Sequence, residues 1–268
     1  MAFLAGIAEQ SIVAFGALLL VAQLVAHRIG VFMGRREKAR ATTQMEGVGV
    51  VVGGMLALMA FVLALTLSFA NTRFSERRTG TLAEANAIGT AWLRAKAVGT
   101  PRAEAIATLL EQYTKVRADF VTAGLDTARI NALNQKTSAL QSTIWGHVAA
   151  IVREQPNPVS ASLMAAINDT FDMSTAERLA METRLPPQLF WLLILMTLLS
   201  TASVGYQLGL RGRSKPLLVV LLMFMWTVVI VDILDLAAPR LGNFRTSAAP
   251  YEWTIQGFSG GVVIPPAP

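Results

Sequence analysis

The stretch from Gly47 to Val98 constrains the fold most, because it contains no proline and has the composition of one uninterrupted helix. Its first half, 47–70, is apolar, and its second half is amphipathic. A helix of this length would be about 78 Å long, more than twice the roughly 30 Å hydrocarbon core of a bilayer. We therefore expect one helix that crosses a membrane, continues into water and ends at Gly99.

The composition supports a membrane protein. The chain has 268 residues, of which 53% are hydrophobic, and these residues are concentrated in blocks. The net charge of +6 is spread over short loops and mixed-charge helices, so it does not indicate a nucleic-acid partner. Because the chain has no cysteine, disulfides, thiolate nucleophiles and cysteine-ligated metals are excluded.

The apolar blocks predict an all-α membrane protein with four transmembrane helices and an all-helical extramembrane domain inserted between spans two and three. The predicted order is a first transmembrane helix at 1–27, a basic loop at 28–46, a second transmembrane helix at 47–70, the helical domain at 71–186, a third transmembrane helix at 187–210, a basic loop at 211–215, a fourth transmembrane helix at 216–238 and a tail of mostly coil composition at 239–268.

Capping signals divide the helical domain. Thr100 is expected to cap a helix that has Pro101 at its first position, and Asp126 is expected to cap the next helix. A last helix is predicted from about Ser160 to Arg184. No segment between 71 and 186 alternates with period 2, so we expect helices packed around a core of their own.

Basic residues predict the membrane orientation. They are concentrated in 28–46 and 211–215, and the positive-inside rule places these loops in the cytoplasm of a bacterial inner membrane, with the helical domain outside. Several arginines near the membrane ends on the other side argue against this orientation: Arg73, Arg77, Arg78, Arg178 and Arg184.

The sequence contains no recognisable catalytic motif. It lacks a nucleophile elbow, a P-loop, a dinucleotide glycine fingerprint and a zinc-protease motif. His27 and His147 lack ligand spacing, and we interpret them as interfacial and packing residues. We therefore expect no enzyme activity, no cofactor and no metal.

Two carboxylates stand near the end of the fourth span. Asp232 and Asp235 are spaced i, i+3, so both are expected on one helix face. Carboxylates at this depth are costly unless they are paired or hydrated, so we predict that one of them pairs with Arg73, Arg77 or Arg78. The alternative is a solvated end of the span.

Two patterns mark the second span. Ala57, Phe61 and Leu65 form one stripe, which would act as a hydrophobic constriction if it faced the axis of a ring of subunits, or as ordinary packing if it faced a neighbouring helix. Gly49 and Gly53 would let helices approach closely, although small residues are common in membrane helices in any case.

Three motifs resemble known membrane proteins. Arg73-Phe74-x-Glu76-x-Arg78 resembles the pattern after the pore-lining second helix of bacterial bestrophin channels. The run from Glu84 to Arg94, with Glu-Ala-Asn-Ala-Ile-Gly-Thr, and the closing Asp232-x-x-Asp235-x-x-x-Pro239-Arg240-x-Gly242 resemble the bacterial bestrophin-like domain proteins. This second resemblance covers nearly the whole chain.

The resemblance implies a homo-oligomer, a pentamer in bestrophins, around a pore lined by the second span, which passes anions in most members and cations in some bacterial ones. Phe61 and Leu65 match the bulky neck residues, whereas Ala57 departs by being small. The vestibule and charge-pairing residues would be Arg73, Glu76, Arg77, Arg78, Asp232, Asp235 and Arg240. Bestrophins keep the helical domain in the cytoplasm, which conflicts with the orientation above, and the final helix lacks an acidic cluster, so we predict no calcium gating.

These observations give two function hypotheses. The first is a homo-oligomeric ion channel in a lipid bilayer, with permeant ions and further copies of the chain as its partners. The second is a non-conducting membrane-anchored scaffold or sensor whose helical domain binds a partner.

Overall fold

The computed structural model describes residues 11–40, 46–183, 185–212, 215–240, 242–263 and 265, and all regular structure in them is helical. The helices are α1 (Ile12–Ala39), α2 (Glu46–Val98), α3 (Pro101–Thr122), α4 (Thr127–Glu154), α5 (Pro158–Glu182), α6 (Pro187–Arg211), α7 (Pro216–Ala237) and α8 (Ala249–Ser259). The predicted all-α class is confirmed.

Four stretches of the described chain contain helix that is long and apolar enough to cross a membrane. They lie within Ile12–Ala39, Gly47–Val98, Pro158–Arg211 and Pro216–Ala237. This count agrees with the four transmembrane helices predicted from the apolar blocks.

The long helix α2 has no break in its 53 residues. It ends where Gly99 adopts a φ of +66°, a left-handed conformation that disfavours residues with a side chain. The predicted single helix is therefore confirmed.

Local caps set the starts of the following helices. The Thr100 hydroxyl accepts a hydrogen bond of 3.3 Å from the backbone N–H of Ala103. A carboxylate oxygen of Asp126 accepts a hydrogen bond of 3.0 Å from the backbone N–H of Arg129. Both predicted caps are confirmed. Asn157 caps α5 in the same way, so each of these three helices starts where a side-chain acceptor is available.

Helix α1 is longer than the sequence suggested. The prediction of a basic loop at 28–46 is wrong for residues 28–39, because α1 continues through them. The charged residues in its last turns are straight-chain helix formers, and no proline interrupts them. Arg36 and Lys38 also interact favourably with the carboxyl end of the helix. The rest of this connection up to residue 45, together with Arg184 and residue 213, lies outside the described residues.

The chain divides into two compact units, 1–73 with 184–244 and 74–183 with 245–268. The first unit has an apolar core between its helices, which includes Phe15, Leu19, Met59, Leu63, Leu193, Ile230 and Ile233. Gln23 of α1 donates a buried hydrogen bond of 2.7 Å to the hydroxyl of Thr227 on α7. Such polar contacts hold membrane helices together where no water can replace them.

Glycines bring α1 and α6 into close backbone contact within the first unit. A Cβ atom at Gly30 or Gly34 would collide with the backbone carbonyl of a residue on α6, and a Cβ atom at Gly205 or Gly209 would collide with one on α1. Each pair is a Gly-xxx-Gly motif, which permits this approach. From the sequence, only Gly49 and Gly53 were predicted to have this role.

The predicted glycines of α2 have different surroundings. A Cβ atom at Gly53 would meet nothing within 4 Å, and one at Gly49 would lie 3.3 Å from Nε2 of Gln207. Among the described residues, the close backbone contacts of glycines are therefore those between α1 and α6, and a packing role for Gly49 and Gly53 stays a prediction.

The second unit has its own apolar core, which includes Ile88, Ile106, Leu110, Ile144, Leu163, Ile167 and Tyr251. The expected coil tail is wrong for residues 249–259, which form α8. The side chain of Tyr251 is fully buried, and the rings of Trp92 and Phe258 lie 5.0 Å apart. Burial of aromatic rings stabilises this short helix although its composition does not.

Candidate functional site

The stripe of Ala57, Phe61 and Leu65 is exposed in the single chain. Phe61 is 60% and Leu65 is 55% exposed, and Ala57 is exposed as well. The buried positions Met59 and Leu63 lie on the opposite side of α2. The stripe is therefore not used for packing within this chain and is available to lipid or to another copy.

The arginines that follow on α2 differ in their surroundings. The guanidinium of Arg73 lies 5.0 Å from the ring centroid of Phe69, and that of Arg78 lies 5.8 Å from the ring of Phe74. Arg73 is half-buried and Arg78 is exposed, but Arg77 is only 1% exposed. Of the three predicted vestibule arginines, Arg77 thus presents no charge to solvent in the single chain. The neighbouring Glu76 is exposed.

The two aspartates at the end of α7 occupy different environments. Asp232 is exposed, whereas Asp235 is 3% exposed. Both carboxylate oxygens of Asp235 accept hydrogen bonds of 3.0 Å from the backbone N–H of Asn243. A Cβ atom at Gly242, whose φ is +68°, would collide with this carboxylate.

This arrangement gives Asp235 a local function. Its carboxylate fixes the turn after α7 by accepting hydrogen bonds from the backbone N–H groups of Asn243 and Phe244. Pairing of Asp232 or Asp235 with an arginine stays a prediction, and Arg240 is half-buried in the same segment.

A buried polar cluster, which we call the Glu84 cluster, occupies the second unit. Arg117 forms a two-pronged ion pair with Glu84, with Nε donating to Oε1 at 2.6 Å and Nη2 donating to Oε2 at 3.0 Å. The hydroxyl of Tyr251 donates to the same Oε2 at 2.6 Å. Arg117 is 1% exposed and Glu84 is fully buried. The cluster therefore connects α2, α3 and α8 by charge-assisted hydrogen bonds.

Glu177 of α5 is a second buried carboxyl group beside this cluster. Its Oε1 accepts a hydrogen bond of 2.7 Å from the hydroxyl of Thr81, and its Oε2 has no hydrogen-bond partner among the described residues. A Cβ atom at Gly80 would lie 2.5 Å from Oε2, so a larger residue there would require the Glu177 carboxyl group to move.

Burial sets the protonation of these groups. It raises the pKa of Glu177 to about 7, because the effect of burial outweighs the hydrogen bond from Thr81 and the positive charges of Arg117 and Arg77, and the negative charge of Glu84 adds to it. Burial and the charge of Glu84 also raise the pKa of Tyr251 well above its usual value. Glu177 is therefore a carboxyl group whose charge changes near neutral pH.

Of the residues in the Glu84 cluster and the adjacent Glu177, only Glu84 was predicted from the sequence to be of interest. Glu84 opens the Glu-Ala-Asn-Ala-Ile-Gly-Thr motif, whereas Arg117, Glu177 and Tyr251 were not singled out. A signal existed in α3, because Arg117 lies one turn after Tyr113 on the apolar face of the helix. A charged residue on such a face indicates a buried partner.

Both His27 and His147 are half-buried, and the described residues contain no group of three or more metal-ligating side chains.

The fold and these sites define an all-helical membrane protein with a buried polar cluster in its second unit. Comparison with protein families gives a match to the Bestrophin-like domain over residues 11–251. The chain therefore belongs to the Bestrophin-like domain family, as the sequence motifs indicated. Comparison with curated proteins gives no match.

Two crystal structures have a similar fold. One is a membrane protein with a TM-score of 0.65 and 13% sequence identity, matched over 91% of this chain and 97% of the other. The second is a bacterial Bestrophin homolog from Klebsiella pneumoniae with a TM-score of 0.64 and 13% identity, matched over 91% of this chain and 98% of the other. The likeness extends through both units of the chain.

Proposed function

We propose that this protein is a homo-oligomeric ion channel of the bacterial inner membrane, with α2 lining the pore. The observation that carries this proposal is the exposed stripe of Ala57, Phe61 and Leu65, which lies opposite the buried face of α2. Membership of the Bestrophin-like domain family and the fold shared with a bacterial Bestrophin homolog support it.

The stripe would act as a hydrophobic constriction. Repeated around a symmetry axis, side chains at these positions form apolar rings, and a narrow apolar ring excludes water and therefore ions until it widens. Phe61 and Leu65 supply the bulk, and Ala57 leaves a wider ring one turn away. By resemblance to bestrophins we propose a pentamer.

Charges that follow the constriction would select the ion. Arg73 and Arg78 lie on α2 beyond the apolar stripe, and rings of arginine attract anions into a pore. We therefore propose anions as the permeant ions, with the basic ends of α1 and α6 in the cytoplasm. Glu76 and Asp232 are both exposed and would weaken the preference if they paired with these arginines.

Reconstitution of the purified full chain into planar bilayers tests this proposal. We expect current from the wild type, and a larger current from Phe61→Ala and Leu65→Ala because a smaller ring is easier to hydrate. Leu67→Ala is the matched control, since Leu67 is exposed on α2 but lies outside the stripe.

The alternative function predicts a different result. A scaffold or sensor would give no current from the wild type or from either alanine variant, and particle images would then show whether the chain forms a ring at all. Absence of both current and ring symmetry would exclude the channel.

A further inference from the structure

A groove of about 540 Å³ lies between α1, the first turns of α2 and the second half of α6, all within the first unit. Its lining is mostly apolar and includes Met33, Val48, Val51, Met55, Leu199 and Tyr206. The volume falls in the range of about 300–1,000 Å³ that is typical of small-molecule sites. The groove is open to its surroundings, so a long flexible chain can enter from the side.

Hydrogen-bond donors stand beside the start of α2 at the groove. Nε2 of Gln207 and a guanidinium nitrogen of Arg211 lie 3.3 and 3.7 Å from the position that a Cβ atom would take on Gly49. Gly49 lies between the lining residues Val48 and Val51, so these donors lie beside the groove. Arg211 is exposed and Gln207 is half-buried.

The same membrane side carries further positive charge. The last turn of α1 contains Arg36 and Lys38, both exposed, with Glu37 half-buried between them. Net positive charge next to an apolar groove complements a molecule with an anionic head and an apolar tail. Basic pockets between membrane helices bind anionic lipid headgroups for this reason.

We propose that this groove binds an anionic phospholipid, with an acyl chain along the apolar lining and the headgroup phosphate against Arg211 and Gln207. A helix of a second copy fits the groove less well, because its apolar side chains would desolvate Arg211 without pairing it. The site does not depend on conduction, since it uses a face of α2 that is distinct from the stripe of Ala57, Phe61 and Leu65.

Native mass spectrometry of the detergent-solubilised full chain tests this site. The probes are dioleoyl phosphatidylglycerol, which is anionic, and dioleoyl phosphatidylcholine, which has the same tails and no net charge. We expect the wild type to retain phosphatidylglycerol in preference to phosphatidylcholine, by about fivefold for each arginine that contacts the headgroup.

Two kinds of variant distinguish binding of the lipid tail from binding of the headgroup. Val51→Trp fills the groove and should reduce retention of both lipids, whereas Arg211→Gln should remove the preference and leave phosphatidylcholine retention unchanged. Val220→Trp on α7 is the matched control for bulk, since Val220 is exposed and does not line the groove. Arg153→Gln, at an exposed arginine of α4 that plays no part in the proposed site, is the control for charge.

Several results would overturn the proposal. They are equal retention of the two lipids by the wild type, equal lipid loss in Val51→Trp and Val220→Trp, and a change of oligomeric mass in place of lipid loss. The last result would assign the groove to a second copy. If Val51→Trp fails to fold, as judged by circular dichroism, Val48→Trp fills the same groove from a neighbouring position. It should likewise reduce retention of both lipids, and the same results would overturn the proposal.

Discussion

The hydroxyl of Tyr251 donates a hydrogen bond of 2.6 Å to the carboxylate of Glu84, which lies 167 residues earlier in the sequence. Both side chains are fully buried, so water does not replace this contact in the folded protein. The contact joins the short helix α8 to the second half of α2. It makes the last described helix an integral part of the second unit.

Removal of this hydroxyl should destabilise the second unit. Hydrogen bonds to charged groups contribute about 1.5–3 kcal/mol, so we expect Tyr251→Phe to lower the free energy of unfolding by about that amount. Chemical denaturation of the full chain in detergent, followed by circular dichroism, measures the change. Trp253→Phe on the exposed face of α8 is the control, and equal losses in the two variants would contradict the prediction.

Replacement of the buried Arg117 should lower the free energy of unfolding more than Tyr251→Phe does. Arg117→Met leaves the Glu84 carboxylate buried without its ion-pair partner, and breaking such a pair costs about 3–5 kcal/mol. The double variant Glu84→Gln with Arg117→Met should recover much of this loss, because no unpaired charge remains. Arg129→Met is the control, since Arg129 is half exposed and its nearest carboxylate oxygen, on Asp119, is 3.8 Å away. A double variant as unstable as Arg117→Met would contradict this account.

Stability should depend on pH through Glu177. The folded pKa of Glu177, about 7, is above its ordinary value of 4.5. Below pH 4.5 Glu177 is protonated in both the folded and the unfolded state, so it does not lower the free energy of unfolding. Between pH 4.5 and 7 the unfolded chain releases the proton first, so the free energy of unfolding falls as pH rises, by at most about 3 kcal/mol.

The variant Glu177→Gln isolates this effect. It keeps the shape of the side chain and an oxygen that accepts from Thr81, so it should remove the decline between pH 4.5 and 7 and be more stable than the wild type at pH 8. Thermal unfolding as a function of pH measures both. Glu182→Gln on the same helix is the control because its side chain is half exposed. An unchanged pH profile in Glu177→Gln would exclude Glu177 as the source.

Close packing of α1 against α6 should not tolerate a methyl group. Gly209→Ala would place its Cβ against the carbonyl of Val31, and the required backbone shift should cost about 1–3 kcal/mol. Gly54→Ala is the matched control, because a Cβ atom there meets nothing within 4 Å. Thermal unfolding of both variants in detergent checks this prediction, and equal melting temperatures would contradict it.

Ion selectivity should respond to Arg78. Because Arg78 is exposed on α2, Arg78→Glu would replace a ring of positive charges with negative ones in the proposed oligomer. We expect the reversal potential in a chloride gradient to move toward that of a cation-selective pore. Arg153→Glu, at an exposed arginine of α4, should leave it unchanged. A reversal potential unaffected by Arg78→Glu would remove Arg78 from the ion pathway.

The sequence predicted those features that depend on local pattern. Apolar blocks indicated four spans, and side chains with cap chemistry, Thr100 and Asp126, marked the helix starts that the structure has. The end of α1 was misjudged because charge was taken as a loop signal, although charged straight-chain residues also extend a helix.

Contacts between residues that are far apart in the sequence could not be predicted from local patterns. Arg117 is 33 residues from Glu84, and no short-range spacing rule connects them. The helix at 249–259 was missed for a related reason, because Tyr251 stabilises it by contacts with other helices and the segment has no strong helical pattern of its own. Whether Phe61 and Leu65 face a shared axis depends on other copies of the chain, which a single sequence does not describe.

The glycine contacts between α1 and α6 have a consequence for biosynthesis. Helix α1 ends at Ala39 and α6 begins at Pro187, so α1 enters the membrane long before the ribosome has made the partner that its glycines fit. During that interval the close backbone contacts of the α1 glycines cannot form. A truncated chain that stops before Pro187 would leave α1 without this partner permanently.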